Sequence, residues 1–253
     1  MEPLSPSVND LCYHVVEIGL DAYPPVSIPD ERTRLNMFYE EARERWGNLF
    51  GRLVASDTEF KISKEFRRTP DVQGPAHIAA TFVLTNRGPV YAFPLVLPDP
   101  INETGLEATY LDDFVDIHRL FFSILPGHGV MRVGLVRELV FTTGEAPSNE
   151  ILTRQGVFAN AKLVGGQSKC TYRDEFHNHQ ILVEPVSLTK ATRLPIGTVK
   201  EEHTGYGVRV RLDVNNAEVN RQLEETDIQQ VLDRARSLWP DTLLEYLRER
   251  SRS

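Results

Sequence analysis

A chain of 253 residues, 41% hydrophobic and 25% charged, can bury one large core or two small ones and has the composition of an ordinary globular protein. Its net charge of −8 repels a phosphate backbone, which disfavours nucleic-acid binding outside a local basic face. Two cysteines, Cys12 and Cys170, are too few for a disulfide framework or a thiolate zinc site and fit a reducing cytoplasm.

The first ten residues, MEPLSPSVND, carry neither a basic nor an apolar signal region, and they read as a flexible N-terminus. Apolar runs such as YAFPLVLP are too short to span a bilayer, so no membrane contact is expected and the location expected is cytoplasmic. The first strand signal is HVVEIGLD, where Val16, Ile18 and Leu20 share one face and Val15, Glu17 and Gly19 the other. A helix follows: Leu35, Phe38, Ala42, Trp46 and Leu49 form its apolar stripe, Pro29 and Asp30 start it, and Gly51 follows its end. TEFKISKEF alternates, with Phe60, Ile62 and Phe66 inward and Glu59, Lys61, Ser63 and Glu65 outward. The next two runs form a hairpin around Asn86, Arg87 and Gly88. A helix over 110–125 then buries Leu111, Phe114, Phe121 and Leu125, with Thr109 as its cap and Pro126 and Gly127 as its stop.

The second half opens on VMRVGLVRELVF, in which Met131, Val133 and Leu135 repeat the phase of the first strand. Arg132, Val133, Gly134 and Leu135 match the pattern of Glu17, Ile18, Gly19 and Leu20. A short helical or irregular piece, SNEILTRQGVF, comes next. SKCTYRDEFHNHQILVEPVSL reads as another hairpin, with its tip at residues 176–180 and Pro185 corresponding to Pro94. YGVRVRLDV turns Val208, Val210, Leu212 and Val214 inward. The closing helix starts at Thr226 with Gln229 as a capping box, buries Ile228, Val231, Leu232, Ala235, Leu238 and Trp239, and restarts after Pro240 with Leu243, Leu244 and Leu247.

The fold expected is therefore α+β: two similar strand–helix–antiparallel-strands–helix units packed as one body. The first spans residues 11–128 and the second 129–248, with 249–253 a frayed tail. The element order and the mid-chain RVGL strand resemble a sporadically distributed bacterial family of uncharacterised proteins of about 250 residues. That family's motif continues with a basic and an aromatic residue, where Val136 and Arg137 stand here. The resemblance implies the architecture and carries no catalytic residues with it.

Candidate sites are few. His177 and His179, two apart, could chelate zinc or copper on a strand, with Asp174, Glu175 or distant His203 completing the set; at a hairpin tip they are ordinary turn residues, which is the reading adopted. Asp57, Glu59 and Lys61 have the spacing of a metal-dependent nuclease strand, a pattern that also arises by chance on a wet face. Asp112, Asp113 and Asp116 read as first-turn acids that meet the helix dipole. His118 falls on an apolar stripe, as a hydrogen-bonded packing residue. Arg137 shares a face with Met131, Val133, Leu135, Leu139 and Phe141, so it should be buried and paired, with an anion site between the halves as its functional reading. Arg209 and Arg211 form the exposed basic pair on their strand.

Phosphate-loop, nucleophile-elbow, dinucleotide and His-Glu-x-x-His motifs are all missing. The function expected is a non-enzymatic interaction, assembly or regulatory protein without a cofactor, whose partner is another protein, with a homodimer one candidate. Arg137, Arg209 and Arg211 are its candidate binding residues. The alternative is a metal-dependent nuclease or hydrolase.

Overall fold

The computed structural model describes residues 7–47, 49–67, 77–94, 103–143, 168–174, 176–193, 199–217 and 220–252. Among these residues nine strands form one antiparallel sheet: β1 (Leu11–Tyr23), β2 (Arg52–Ala55), β3 (Phe60–Arg67), β4 (His77–Leu84), β5 (Pro89–Pro94), β6 (Gly129–Thr143), β7 (Ser168–Arg173), β8 (His177–Arg193) and β9 (Val199–Asn216). Their order across the sheet is β2-β3-β4-β5-β1-β6-β9-β8-β7. The helices are α1 (Ile28–Arg45), α2 (Glu103–Ile124), α3 (Glu225–Ser237) and α4 (Asp241–Arg252). The architecture is α+β, and among the described residues no helix is long and apolar enough to cross a membrane.

Strand periodicity decides which face is covered. Val16, Ile18 and Leu20 lie opposite Arg137, Leu135 and Val133 of β6, and on the other side Val16 and Ile18 meet Phe93 and Tyr91 of β5. The same face continues through Leu212 and Val210 of β9 to Ile181 and Val183 of β8. Helices pack on it through rings: Phe38 of α1 and Phe121 of α2 both meet Phe82 of β4, and Phe114 of α2 stacks on Tyr91. Trp239, between α3 and α4, packs against Phe141 of β6. Each such buried aromatic or aliphatic side chain contributes about 1.5–3 kcal/mol. Among the described residues no helix packs on the opposite face, where Val15, Glu17, Val136, Glu138 and Arg211 lie.

Several local expectations are corrected. Helix α1 ends at Arg45, and Leu49 is buried from the turn beyond it, where Leu49 and Phe50 bond back to the Trp46 carbonyl. Strand β2 was not anticipated. Helix α2 begins at Glu103, so Thr109 is interior and Asp112, Asp113 and Asp116 lie beyond the first turn. Helix α3 begins at Glu225 with a capping box between Glu224 and Asp227, two residues before the Thr226–Gln229 box expected. Residues 249–252, expected as a frayed tail, continue α4 as helix. Residues 8–10 of the expected flexible N-terminus form a 3-10 turn, closed by bonds from Ser7 to Asp10. Pro94 pairs beside β1, whereas Pro185 pairs with Val208 of β9, so the two prolines do not correspond. The piece SNEILTRQGVF lies outside the described residues.

Candidate functional site

The largest correction concerns His177 and His179. Strand β7 ends at Arg173 and β8 begins at His177, so both histidines belong to β8, paired with Asn216 and Val214 of β9. Asp174 sets the hairpin tip. Its Oδ1 accepts the backbone N–H groups of Phe176 (2.9 Å) and His177 (2.7 Å), and its own N–H donates to the His177 carbonyl (3.0 Å). An Asp side chain that satisfies the amides two and three residues on closes a turn from a position four residues before the Asn that sequence reasoning favoured. With the tip moved, strand periodicity turns both histidines to the helix-covered face.

There they meet polar company. His177 Nδ1 lies 3.1 Å from Asp174 Oδ1, and His179 Nε2 lies 3.6 Å from Asp174 Oδ2. The two imidazoles stack at 5.9 Å. Arg234 reaches down from α3; its Nε donates to His179 Nε2 at 3.4 Å, and its Nη2 lies 3.9 Å from Asp174. His179 is 7% exposed, and His177 Nε2 is buried with no partner among the described residues. Burial, then the Arg234 charge, holds the His179 imidazole below its ordinary range. Desolvation pushes the Asp174 carboxyl up, but the amides of His177 and Phe176 and the His177 ring outweigh it and hold it at about 2. Beside the cluster opens a cavity of about 300 Å³, with Ile181, Leu212, Leu238 and Leu243 as apolar walls and Tyr172 and Tyr246 at its sides. Glu175 lies outside the described residues, and His203 pairs with Thr189 at the far end of the β8–β9 ladder.

Arg137 is fully buried, as its strand phase requires, and one of its partners is His14 of β1, whose Nε2 accepts from Nη1 at 2.9 Å. Trp239 covers the pair, with its ring 5.6 Å from the guanidinium carbon and 5.4 Å from the His14 ring. Burial, and then the Arg137 charge, pushes the His14 imidazole well below its ordinary range, so it remains a neutral acceptor. This arrangement lies within the core.

The remaining candidates stay apart. Asp57 is exposed and tied to Arg32 at 2.7 Å; Glu59 is exposed; Lys61 is half-buried on β3. Neither acid joins a third ligand, because among the described residues the group of three metal-binding side chains is Asp174, His177 and His179. Asp112 pairs with Arg236 and Asp116 with Arg119. Burial raises the Asp113 carboxyl, with a bond from Trp46 opposing. His118 lies against Phe114 and Phe122, and its Nδ1 has no partner among the described residues, contrary to the hydrogen-bonded reading. Arg209 is bound by Glu138 (2.9 Å) and Glu184 (3.1 Å), while Arg211 is exposed.

Sequence reasoning missed His14 and Arg234. The signal for each was present: His14 is in phase with Val16 and Ile18, and Arg234 continues the spacing of Val231 and Leu238. The chain matches no family model, no curated protein and no solved structure.

Proposed function

We propose that the chain is a non-enzymatic interaction protein and that the face of its sheet on which no described helix packs meets a second copy of itself. The observation that carries this is the placement of the described helices. Every described helix that packs on it does so from one side, while Val15, Val136, Val140 and Leu182 stand half-buried on the other among charges of both signs. Nine strands spaced about 4.8 Å apart give a face some 40 Å wide, ample for the roughly 800 Å² per partner of a stable interface. Glu17, Asp21, Glu138 and Glu184 alternate with Arg132, Arg209 and Arg211, so a twofold pairing can set acid against base, which a uniformly charged face could not.

We also infer that the two halves are related. β1 and β6 run antiparallel through the middle of the sheet with Gly19 opposite Gly134, and each is flanked outward by hairpin strands, β5-β4-β3 on one side and β9-β8-β7 on the other. A cytoplasmic site of action agrees with the two unbridged cysteines.

Sedimentation of Val136→Lys tests the dimer. Val136 lies opposite Glu17 and Asp213, so a lysine there is paired within the sheet and the fold is retained. The parent should sediment as a dimer at tens of micromolar and the variant as a monomer with a melting temperature close to the parent's. A parent that stays monomeric, or a variant that dimerises as well as the parent, overturns the proposal. The nuclease or hydrolase alternative gains nothing from Asp57, Glu59 and Lys61, whose acids converge on no third ligand among the described residues.

A further inference from the structure

We infer that Asp174, His177 and His179 form a divalent transition-metal site of zinc-binding type, with an open coordination position facing the cavity between β8, β9 and the α3–α4 pair. This is independent of the dimer. The ligand atoms of the three residues lie within 4.8 Å of one another. Donors bound about 2.0–2.2 Å from a single tetrahedral ion stand roughly 3.3 Å apart. Asp174 Oδ1 stands 3.1 Å from His177 Nδ1 and Oδ2 stands 3.6 Å from His179 Nε2, so each imidazole is near that spacing from one of the two carboxylate oxygens. Two imidazole nitrogens and one carboxylate oxygen are a donor set suited to zinc and its neighbours rather than to magnesium or calcium.

The hydrogen bonding of the cluster is incomplete in a way an ion would partly relieve. If His177 carries its proton on Nδ1, it donates to Asp174 and its buried Nε2 lone pair has no described partner. If the proton is on Nε2, the Nδ1 lone pair faces the carboxylate. In the second tautomer two acceptors face each other, a deficit worth about 1–3 kcal/mol that an ion between Nδ1 and the carboxylate removes, while the Nε2 proton keeps no described partner. His179 presents an acceptor nitrogen as well, since its Nε2 accepts from Arg234 at 3.4 Å. Arg234, whose side chain is 41% exposed, is the donor an ion at that nitrogen would displace. The backbone supports the set, because Asp174 is fixed by two amides and both histidines are locked in the β8–β9 ladder.

Three protein ligands leave a fourth position for water or an exogenous oxygen ligand, as in open zinc sites. That position is bordered by Leu238, Leu243 and Tyr246, with Arg234 at the rim, so the ligand class that fits is a small carboxylate or other oxyanion with an apolar body.

The experiment is isothermal titration of the chelator-stripped full chain with zinc chloride, alongside the visible spectrum after cobalt chloride is added. The parent should bind one zinc per chain at micromolar affinity or tighter and give the intense absorption of tetrahedral cobalt. Asp174→Asn and His179→Ala should each weaken zinc by at least tenfold while retaining a cooperative melt. Arg234→Ala, which removes a competing cation, should bind at least as tightly as the parent. His203→Ala should bind like the parent. Absence of saturable binding by the folded parent, an octahedral cobalt spectrum, unchanged binding in Asp174→Asn, or loss of binding in Arg234→Ala or His203→Ala would each overturn the site. If His179→Ala fails to fold, the parent's cobalt spectrum and Asp174→Asn still decide.

Discussion

Arg137 carries a charge in the core, and among its partners are a neutral imidazole acceptor and the face of an indole. Arg137→Ala leaves a large void and strands the His14 lone pair, so thermal melts should show a loss of about 3–5 kcal/mol. Arg137→Lys should recover part of it, because an ammonium reaches His14 without filling the planar space beneath Trp239. Two buried imidazoles also set an acid limit. His14 lies well below its ordinary range through burial and then Arg137. His118 is lowered to about 4 by burial, with Glu225 opposing and Arg119 adding to the shift. Unfolding releases both to an ordinary value near 6.5, so between about 6.5 and 4 the unfolded chain binds more protons and stability falls as pH falls. Melts from pH 7 to 4.5 should show this slope, and a His14→Gln, His118→Leu double variant should flatten it. An equal slope in that variant would assign the acid sensitivity to other groups.

At the scale of elements, the β4–β5 turn is fixed by closeness to β1. A Cβ on Gly88 would stand 2.2 Å from the Leu20 carbonyl oxygen and 2.9 Å from the Ala22 nitrogen. Both atoms belong to the β1 backbone and cannot move without opening the central ladder. Gly88→Ala should therefore lower stability by more than about 2 kcal/mol in a denaturant titration. Alanine at exposed Arg87, its neighbour in the turn, should change stability by less than about 0.5 kcal/mol. Gly88 was recognisable as a turn residue from TNRG alone; the reason no other residue fits it lies in a strand more than sixty positions earlier. Helix α2 shows the reverse case. Its three aspartates resemble a helix start, yet in the fold Asp112 reaches Arg236 and Asp116 reaches Arg119, which also bonds Glu225 of α3. Such exposed pairs contribute about 0–1 kcal/mol each and fasten α2 to α3.

For the whole molecule, the β1–β6 ladder is the seam. It runs from Leu11 opposite Phe141 to Tyr23 opposite Gly129, and among the described residues it is the one direct strand pairing between residues 11–128 and 129–248. Fragments cut at residue 128 and co-expressed should co-purify and share a single cooperative melt, because each alone exposes a long apolar edge strand. Recovery of two separately folded fragments that do not associate would show the seam to be dispensable.

The alternation of β1, β6 and β9 and the stripes of α1 and α3 were legible because burial of one face imposes periods of 2 and 3.6 on any sequence that folds this way. The inward phase of Arg137 followed from the same rule. What the rule could not supply was partnership across the chain: that His14 sits beneath Arg137, that β5 and β9 rather than β8 flank the central pair, or that Arg234 descends on His179. The His177 and His179 pair marks the boundary most clearly. As letters they read as a turn, because a hairpin tip can slide by a few residues with little change in local preference. The tip was decided by the Asp174 carboxylate, which caps two amides, and by the β9 ladder, which holds both histidines in register. Local preferences among neighbouring turns differ by tenths of a kcal/mol, while a ladder of hydrogen bonds and a buried face contribute several, so tertiary contacts made the choice.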